Sequence, residues 1–153
     1  MQTTIITYGS FDMFHIGHLK LLQRLSKLGD ELIVAVSTDE FNKIKNKMAL
    51  IPYEQRAEIV ANIKCVDKVI PEDNWEQKID DIQKYNVDIF AIGNDWKGKF
   101  DFLKEHCDVI YLERTKDIST TQLKKSLTNF LSIPKEDILN AFKIIETLKK
   151  DFE

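Results

Sequence analysis

The sequence has little cysteine and lacks any long apolar run. Cys65 and Cys107 are its two cysteines, and neither lies in a paired-thiol motif, so we expect reduced, buried thiols in a cytosolic protein rather than disulfide or metal chemistry. The longest uninterrupted apolar run, residues 32–36, has five residues, against the roughly 20 that a membrane-spanning helix needs. The first residues include neither a basic region nor a long apolar stretch, so no secretion signal is visible and we expect a cytoplasmic location.

A basic excess is also absent. The chain has 22 Lys+Arg against 25 Asp+Glu, a formal net charge of −3 at pH 7, whereas a general nucleic-acid binder normally carries a basic excess. With 43% hydrophobic and 31% charged residues, the composition is that of an ordinary globular protein, neither disordered nor fibrous. There is no internal repeat, and 153 residues suit one domain with a single core.

Five short apolar runs rich in β-branched residues alternate with helical patterns. The runs lack strict alternation, as expected of strands buried on both faces of a parallel sheet; they cover residues 4–8, 31–37, 68–70, 88–92 and 109–112. Apolar spacing predicts helices over residues 17–28, 53–63 and 75–85, the second with Ile59, Val60 and Ile63 turned inward. This alternation predicts a Rossmann-like, doubly wound parallel five-stranded α/β sheet with helices on both faces. Ligands of such sheets gather at the carboxyl ends of the strands.

A second region is expected at the C-terminus. Ser132-Ile133-Pro134 predicts a boundary between a main domain over residues 1–129 and a helical extension over residues 130–153. The extension has a predicted helix over about residues 135–151 with an apolar stripe of Ile138, Phe142, Ile145, Leu148 and Phe152. The lysines of its polar face are balanced by acidic residues, which favours packing onto the parent domain or a dimer partner over a membrane surface.

Two histidines stand at the predicted start of the first helix. The first strand ends in Tyr8-Gly9-Ser10-Phe11-Asp12, and His15-Ile16-Gly17-His18 follows. Histidines three apart at a helix start can direct two ring N–H donors at one spot, and Gly17 removes a Cβ that would block a close approach. Because a helix N-terminus also offers unpaired N–H groups and a positive dipole end, the motif predicts a polyphosphate site. Zinc is not favoured, since no third ligand stands at a metal-like spacing.

The chain resembles a known enzyme family at several motifs. The segment from Tyr8 to Leu22 resembles the start of the HxGH nucleotidylyltransferases, and residues 114–121, Arg-Thr-Lys-Asp-Ile-Ser-Thr-Thr, resemble the RTxGISTT motif of the cytidylyltransferases. Residues 37–42, 69–72, 74–78 and 93–103 are similar to the glycerol-3-phosphate branch of that family, and the resemblance covers about residues 4–127.

The resemblance implies a reaction. It is transfer of CMP from CTP to sn-glycerol 3-phosphate, giving CDP-glycerol and pyrophosphate for teichoic-acid or capsule synthesis. Another small phosphorylated alcohol, such as phosphoethanolamine, is the alternative acceptor. A non-catalytic nucleotide-binding protein that kept the fold is the alternative from another class.

The resemblance also implies roles for individual residues. His15, His18 and Arg114 would be catalytic, and Lys45 and Lys78 would bind the acceptor. CTP would be bound by Ser10, Phe11, His15, His18, Lys47, Arg114, Thr115, Ile118, Ser119, Thr120 and Thr121. Trp75 and Trp96 would lie near the site, with a place in the core as the alternative. The hydroxyl residues 119–121 also stand where a helix should start and could cap it.

Magnesium and a second copy of the chain complete the expectations. Mg²⁺ is expected because it neutralises and orients a triphosphate, most of its ligands being phosphate oxygens and water. Asp12 is the first candidate for a nearby carboxylate and Asp95 a weaker one. The resemblance implies a homodimer, and we expect no nucleic-acid partner and no membrane insertion.

Overall fold

The structure is a computed structural model that describes residues 1–114 and 120–150. The chain divides into two compact units, Met1–Ile118 and Ser119–Glu153, and each is described by itself. In the described ranges, no helix is both long enough and apolar enough to cross a membrane.

Within residues 1–114, the first unit is built on a five-stranded sheet of order β3-β2-β1-β4-β5. Its strands are β1 (Thr4–Gly9), β2 (Glu31–Ser37), β3 (Lys68–Glu72), β4 (Ile89–Gly93) and β5 (Asp108–Leu112). Every neighbouring pair is parallel, so the predicted fold class is confirmed. The strand order reverses beside β1, and in such sheets the crevice at the carboxyl ends of the strands flanking that point receives the ligand.

The helices of the first unit follow the predicted pattern with one addition. They are α1 (Ile16–Leu25), α2 (Asp39–Ile44), α3 (Tyr53–Ala61) and α4 (Gln77–Lys84), with short 3₁₀ helices at Ser26–Leu28, Asn94–Trp96 and Asp101–Glu105. Helix α2 was not predicted because six residues are too few for a periodic apolar pattern. Its start is fixed by the Thr38 hydroxyl, which accepts the Phe41 N–H at 3.2 Å.

One predicted core position in α3 is wrong. Val60 is fully buried, whereas Ile59 is 44% exposed. Neighbouring helical residues point about 100° apart, and the buried face of this helix is set by Val60 and by Arg56, one turn earlier. A hydrophobic pattern does not reveal that a charged residue shares the buried face.

The two faces of the sheet carry separate apolar cores. Ile6 and Phe90 belong to one core, and Ile5 and Leu22 belong to the other. Ile5 and Ile6 are adjacent in β1 and point to opposite faces, as the two-residue period of a strand requires. Burial on both faces explains why the strand sequences read as continuous apolar runs.

The second unit consists, in its described part, of α5 (Thr120–Leu131) and α6 (Lys135–Lys150). Helix α6 confirms the predicted C-terminal helix. The domain division expected at residues 129 and 130 stays a prediction. Several large apolar side chains of this unit are exposed, among them Phe130, Leu131, Ile138, Phe142, Ile145 and Leu148.

Candidate active site

A pocket lies at the carboxyl ends of the strands of the first unit. Its lining residues are Tyr8, Gly9, Ser10, Lys45, Lys47, Glu72, Trp75, Lys78, Ile92, Trp96 and Phe100. The structure thus brings Ser10 together with the three lysines that were expected to bind substrates. Trp75 and Trp96 line the same pocket with their ring centroids 5.9 Å apart, and Trp96 also packs against the apolar core.

The two histidines of the HxGH motif form a capping box at the N-terminus of α1. His15 is the N-cap residue, and its Nδ1 accepts the Gly17 N–H at 3.0 Å. The Nδ1 of His18 accepts the His15 N–H at 3.3 Å, and the two rings stack with their centroids 4.0 Å apart. A neutral imidazole that accepts at Nδ1 carries its proton on Nε2. The capping box therefore selects the same tautomer in both rings and makes each Nε2–H a donor.

His18 is held in the neutral state by its surroundings. Its pKa is lowered from 6.5 to about 4, mainly by burial and also by the neighbouring His15, while Asp12 opposes the shift. Phe11 and Phe14 pack against the His18 ring, with centroids 5.5 and 5.4 Å away. At neutral pH, His18 can therefore give a hydrogen bond to a phosphate without carrying a charge of its own.

The turn after β1 explains the position of Phe11. Phe11 has a φ of 49°, a left-handed conformation that is uncommon for a bulky residue. A Cβ on Gly9 would lie 2.9 Å from Phe11 Cε2, so glycine at this position leaves room for the ring. Phe11 is buried and supports His18, and its predicted contact with CTP stays a prediction. Ser10 donates from its hydroxyl to Asn42 Oδ1 at 2.8 Å.

The predicted acceptor-binding lysines meet at a carboxylate that sequence reasoning did not single out. Glu72, the last residue of β3, lies between them, with Lys78 Nζ 2.9 Å from Oε2 and Lys45 Nζ 3.4 Å from Oε1. Lys78 Nζ also lies 4.5 Å from the ring centroid of Tyr8, and such a contact stabilises a cation. Burial lowers the pKa of the Lys45 amine, and the Glu72 charge opposes that shift.

Arg56 is the other charged residue that sequence reasoning missed. Its guanidinium is buried and donates to the carbonyl oxygens of Ser10 at 2.7 Å, Ser37 at 2.8 Å and Ile51 at 2.8 Å. It also pairs with the Asp39 carboxylate at 2.8 Å. The one sequence signal that could have found it is its position four residues before Val60, on the inward face of α3.

Asp12 holds the loop that carries the lysines. Its two carboxylate oxygens accept the N–H groups of Leu50 at 2.9 Å and Ile51 at 3.0 Å. Among residues 1–114 and 120–150, no cluster of three or more histidine, cysteine or acidic residues could hold a metal ion. A magnesium ion would therefore need most of its ligands from phosphate oxygens and water, and its presence stays a prediction. The proximity of Asp12 to Mg²⁺ stays a prediction.

The remaining predicted residues follow β5. Arg114 Nη2 lies 3.1 Å from Asp95 Oδ2, and both side chains are exposed. Thr115, Ile118 and Ser119 lie outside the described residues. Thr120 and Thr121 are the first two residues of α5, in the second unit, so their contacts with CTP stay predictions, as do the roles assigned to Arg114.

A histidine-capped helix and a cationic pocket at the carboxyl ends of a parallel sheet are features of the nucleotidyltransferase class. Residues 6–132 match the family described as cytidylyltransferase-like. The chain belongs to the cytidylyltransferase-like family.

Individual relatives support this assignment. The chain is 62% identical to a glycerol-3-phosphate cytidylyltransferase of Bacillus spizizenii over 125 residues, which cover 82% of this chain and 97% of the relative. It is 55% identical to one of Staphylococcus aureus over 123 residues, 80% of this chain and 93% of the relative. A solved structure of a lipopolysaccharide core biosynthesis protein from Thermoplasma volcanium has a TM-score of 0.66 at 24% identity, covering 76% of this chain and 100% of that chain. At that identity the likeness shows the fold alone.

The lowered pKa of His18 predicts a pH-dependent contribution to stability. The folded value of about 4 lies below the ordinary 6.5, so this contribution is complete above pH 6.5 and is lost as the pH falls towards 4. His18→Asn keeps an oxygen that can accept the His15 N–H but does not titrate. Urea unfolding between about pH 7.5 and 4.5 should show the native protein losing up to about 3 kcal/mol more stability than the variant.

Carboxylates titrate in both proteins, so their contribution to the pH dependence of the unfolding free energy cancels in the difference between the two. Far-UV circular dichroism at pH 7.5 checks that the variant is folded. Parallel curves of unfolding free energy against pH for the two proteins would contradict the neutral state assigned to His18.

Proposed function

We propose that the protein transfers CMP from CTP to sn-glycerol 3-phosphate, giving CDP-glycerol and pyrophosphate. The observation that carries the proposal is the pocket in which Lys45 and Lys78 meet at Glu72, joined through the end of β1 to the histidine pair. Gly9 and Ser10 line that pocket, and Phe11 packs against His18. The names of the relatives at 62% and 55% identity support the same reaction.

The histidine pair is suited to the triphosphate of CTP. Both rings present Nε2–H donors at the start of α1, where the helix dipole favours an anion. Lys47, whose Nζ lies 5.5 Å from the Trp96 ring centroid, adds a cation at the rim of the pocket. Donors of this kind stabilise charge that develops on phosphate oxygens in the transition state.

The lysine pocket is suited to a phosphate whose remaining part is uncharged. Two ammonium groups and one carboxylate leave a net positive charge among nearly buried side chains. Phosphoethanolamine would bring an ammonium group of its own to the two lysines, and like charges repel strongly where water is excluded. Glycerol 3-phosphate carries neutral hydroxyls instead, so the pocket favours it over that alternative.

The reaction needs no nucleophile from the protein. An oxygen of the acceptor phosphate attacks the α-phosphorus of CTP, and a new O–P bond forms. The bond from that phosphorus to the oxygen bridging to the β-phosphorus breaks, and its electron pair leaves with pyrophosphate. In His15 and His18 the Nδ1 lone pair accepts a backbone N–H and Nε2 carries the proton, so the rings donate to phosphate rather than attack phosphorus. Catalysis of this type consists mainly of positioning and charge stabilisation.

Mg²⁺ is proposed to enter with CTP, where it neutralises part of the triphosphate charge. A cytoplasmic location and a product used for teichoic-acid or capsular polymers are proposed with it. Both substrates are small charged molecules, and no described helix gives the chain a membrane span.

An acceptor panel read by pyrophosphate release tests the proposal. With CTP and Mg²⁺, sn-glycerol 3-phosphate should give a kcat/KM at least about tenfold above that of phosphoethanolamine, because one repelled ammonium group costs on the order of 1.4 kcal/mol or more.

In the same assay His18→Ala should lower kcat by about 10²–10³-fold, the cost of removing one donor to the transition state.

The thermal melt of the variant serves as the control for folding. Absence of pyrophosphate release from the whole panel would contradict the proposal. Calorimetric CTP binding without turnover would then support the non-catalytic alternative.

We further propose that the protein is a homodimer and that α6 contributes to its interface. The family match ends at residue 132, before α6 begins at Lys135. The described residues of the apolar stripe of α6 are exposed, namely Ile138, Phe142, Ile145 and Leu148. Its first turn is acidic, with Glu136 and Asp137, and its last turn is basic, with Lys149 and Lys150. An antiparallel pair of α6 helices would bury two stripes and set each acidic turn beside a basic one, so a second copy of the chain is the complementary partner.

Sedimentation velocity at micromolar concentration tests this arrangement. The chain has a mass of 17.9 kDa, and the native protein should sediment as a species of about twice that mass. Ile145→Asp, which puts a charge into the apolar stripe, should weaken the dimer by at least about tenfold. Asn140→Asp adds the same charge on the opposite side of α6 and should leave the dimer intact. A native monomer, or an Ile145→Asp dimer of native strength, would contradict the proposed interface.

A further inference from the structure

The Glu72 carboxylate contacts three polar side chains of the pocket region: Ser37, Lys45 and Lys78. Its side chain is 4% exposed. Oε1 accepts the Ser37 hydroxyl at 2.6 Å and lies 3.4 Å from Lys45 Nζ, and Oε2 accepts from Lys78 Nζ at 2.9 Å. Ser37 in turn accepts a hydrogen bond from Lys45 Nζ at 2.8 Å. One carboxylate therefore fixes two ammonium groups, one of them both directly and through a hydroxyl.

Glu72 supplies the negative charge that the ammonium groups of Lys45 and Lys78 share in the pocket. The side chains of Lys45 and Lys78 are 8% and 1% exposed, so water can solvate little of either charge. Two like charges in such surroundings repel, and a buried charge without a partner is strongly unfavourable. Glu72 offsets one of the two charges and leaves the other to be balanced by a ligand.

We propose that Glu72 is a positioning residue for the acceptor: it holds the ammonium groups of Lys45 and Lys78 in place so that they bind the phosphate of an acceptor whose remaining part is uncharged. The inference rests on the proposed function and adds a determinant of acceptor binding to it. Because both carboxylate oxygens are engaged by lysines, a substrate ammonium would have to compete for them.

The charged groups around Glu72 determine how a variant should respond to pH. Lys45 approaches from the C-terminal end of α2, Lys47 from the following loop, and Lys78 and Asp81 from α4. Tyr8 of β1 donates its hydroxyl to Asp81 at 2.8 Å. Burial lowers the pKa of the Lys45 amine. The charges of Lys47 and Lys78 lower it further, whereas the charge and the hydrogen bond of Glu72 oppose the shift. Removing the Glu72 charge removes that opposition, so Lys45 should lose its proton at a lower pH.

Glu72→Gln tests the proposal, since it keeps the shape of the side chain and removes its charge. At about pH 8.5 the KM for glycerol 3-phosphate should rise by about tenfold or more, the cost of a lost hydrogen bond to a charged group. The KM for CTP should stay within about twofold. Lowering the pH to about 6.5 should restore most of the acceptor KM because Lys45 regains its proton.

Two further variants separate charge from shape. Glu72→Asp keeps the charge on a shorter side chain, so its acceptor KM should vary with pH as in the native protein. Glu76→Gln removes the charge of an exposed glutamate four residues later and should leave every parameter unchanged. A pH-independent rise in the KM values of both substrates in Glu72→Gln would indicate a purely structural role and overturn the proposal. A native acceptor KM at all pH values would overturn it as well.

Calorimetric binding of inorganic phosphate makes the test independent of the acceptor. The native protein should bind phosphate with similar affinity at about pH 6.5 and 8.5, apart from the titration of phosphate itself, and Glu72→Gln should lose about tenfold at the higher pH. The two proteins can show these phosphate affinities while the native protein does not turn over glycerol 3-phosphate. In that case the proposed function fails and the role of Glu72 stands. If it turns over glycerol 3-phosphate and Glu72→Gln binds phosphate as the native protein does at both pH values, the role of Glu72 fails and the proposed function stands.

Discussion

The buried guanidinium of Arg56 is the interaction on which the geometry of the site depends. It joins the carbonyl oxygens of Ser10 and Ser37, at the carboxyl ends of β1 and β2, to that of Ile51 in the loop after the lysines. Its partner Asp39 begins α2, the helix that leads to Lys45. Because a buried charge that loses its partners costs about 3–5 kcal/mol, these segments are held in register with one another.

The site has two kinds of group that can bind phosphate, the histidine pair and the lysine pair, and neighbouring residues determine the state of each. The histidine pair is neutral at His18 and donates through Nε2, a state imposed by burial and by the capping box of α1. The ammonium groups of Lys45 and Lys78 both pair with Glu72, which lies between them. The site thus combines uncharged donors suited to a triphosphate with a fixed positive charge suited to a second phosphate. An anion that attacks a polyanion needs both.

The sequence was sufficient for the fold and for the residues that carry recognisable motifs. Each of the five strands in the described residues overlaps one of the apolar runs, because burial on both sheet faces leaves a continuous hydrophobic signal. The histidines, Ser10 and the lysines were found through motifs, and the structure brings Ser10, Lys45, Lys47 and Lys78 to one pocket.

Arg56 and Glu72 were not found, since a charged residue on a buried face looks like an exposed one in a hydrophobicity pattern. The wrong prediction at Ile59 has the same cause, because the buried face of α3 is formed by Val60 together with the charged Arg56. The role of Asp12 in holding the backbone of Leu50 and Ile51 also depends on distances that no local pattern contains.

The central claim is that the acceptor phosphate displaces pyrophosphate directly, with no covalent intermediate on the protein. The most direct measurement uses CTP with one oxygen of the α-phosphate replaced by sulfur, as a single diastereomer, and determines the configuration at phosphorus in the product by ³¹P NMR. One in-line displacement inverts the configuration, and inversion is the result predicted here. Retention would require two displacements, and therefore a protein nucleophile that the histidine geometry does not provide, and it would contradict the account.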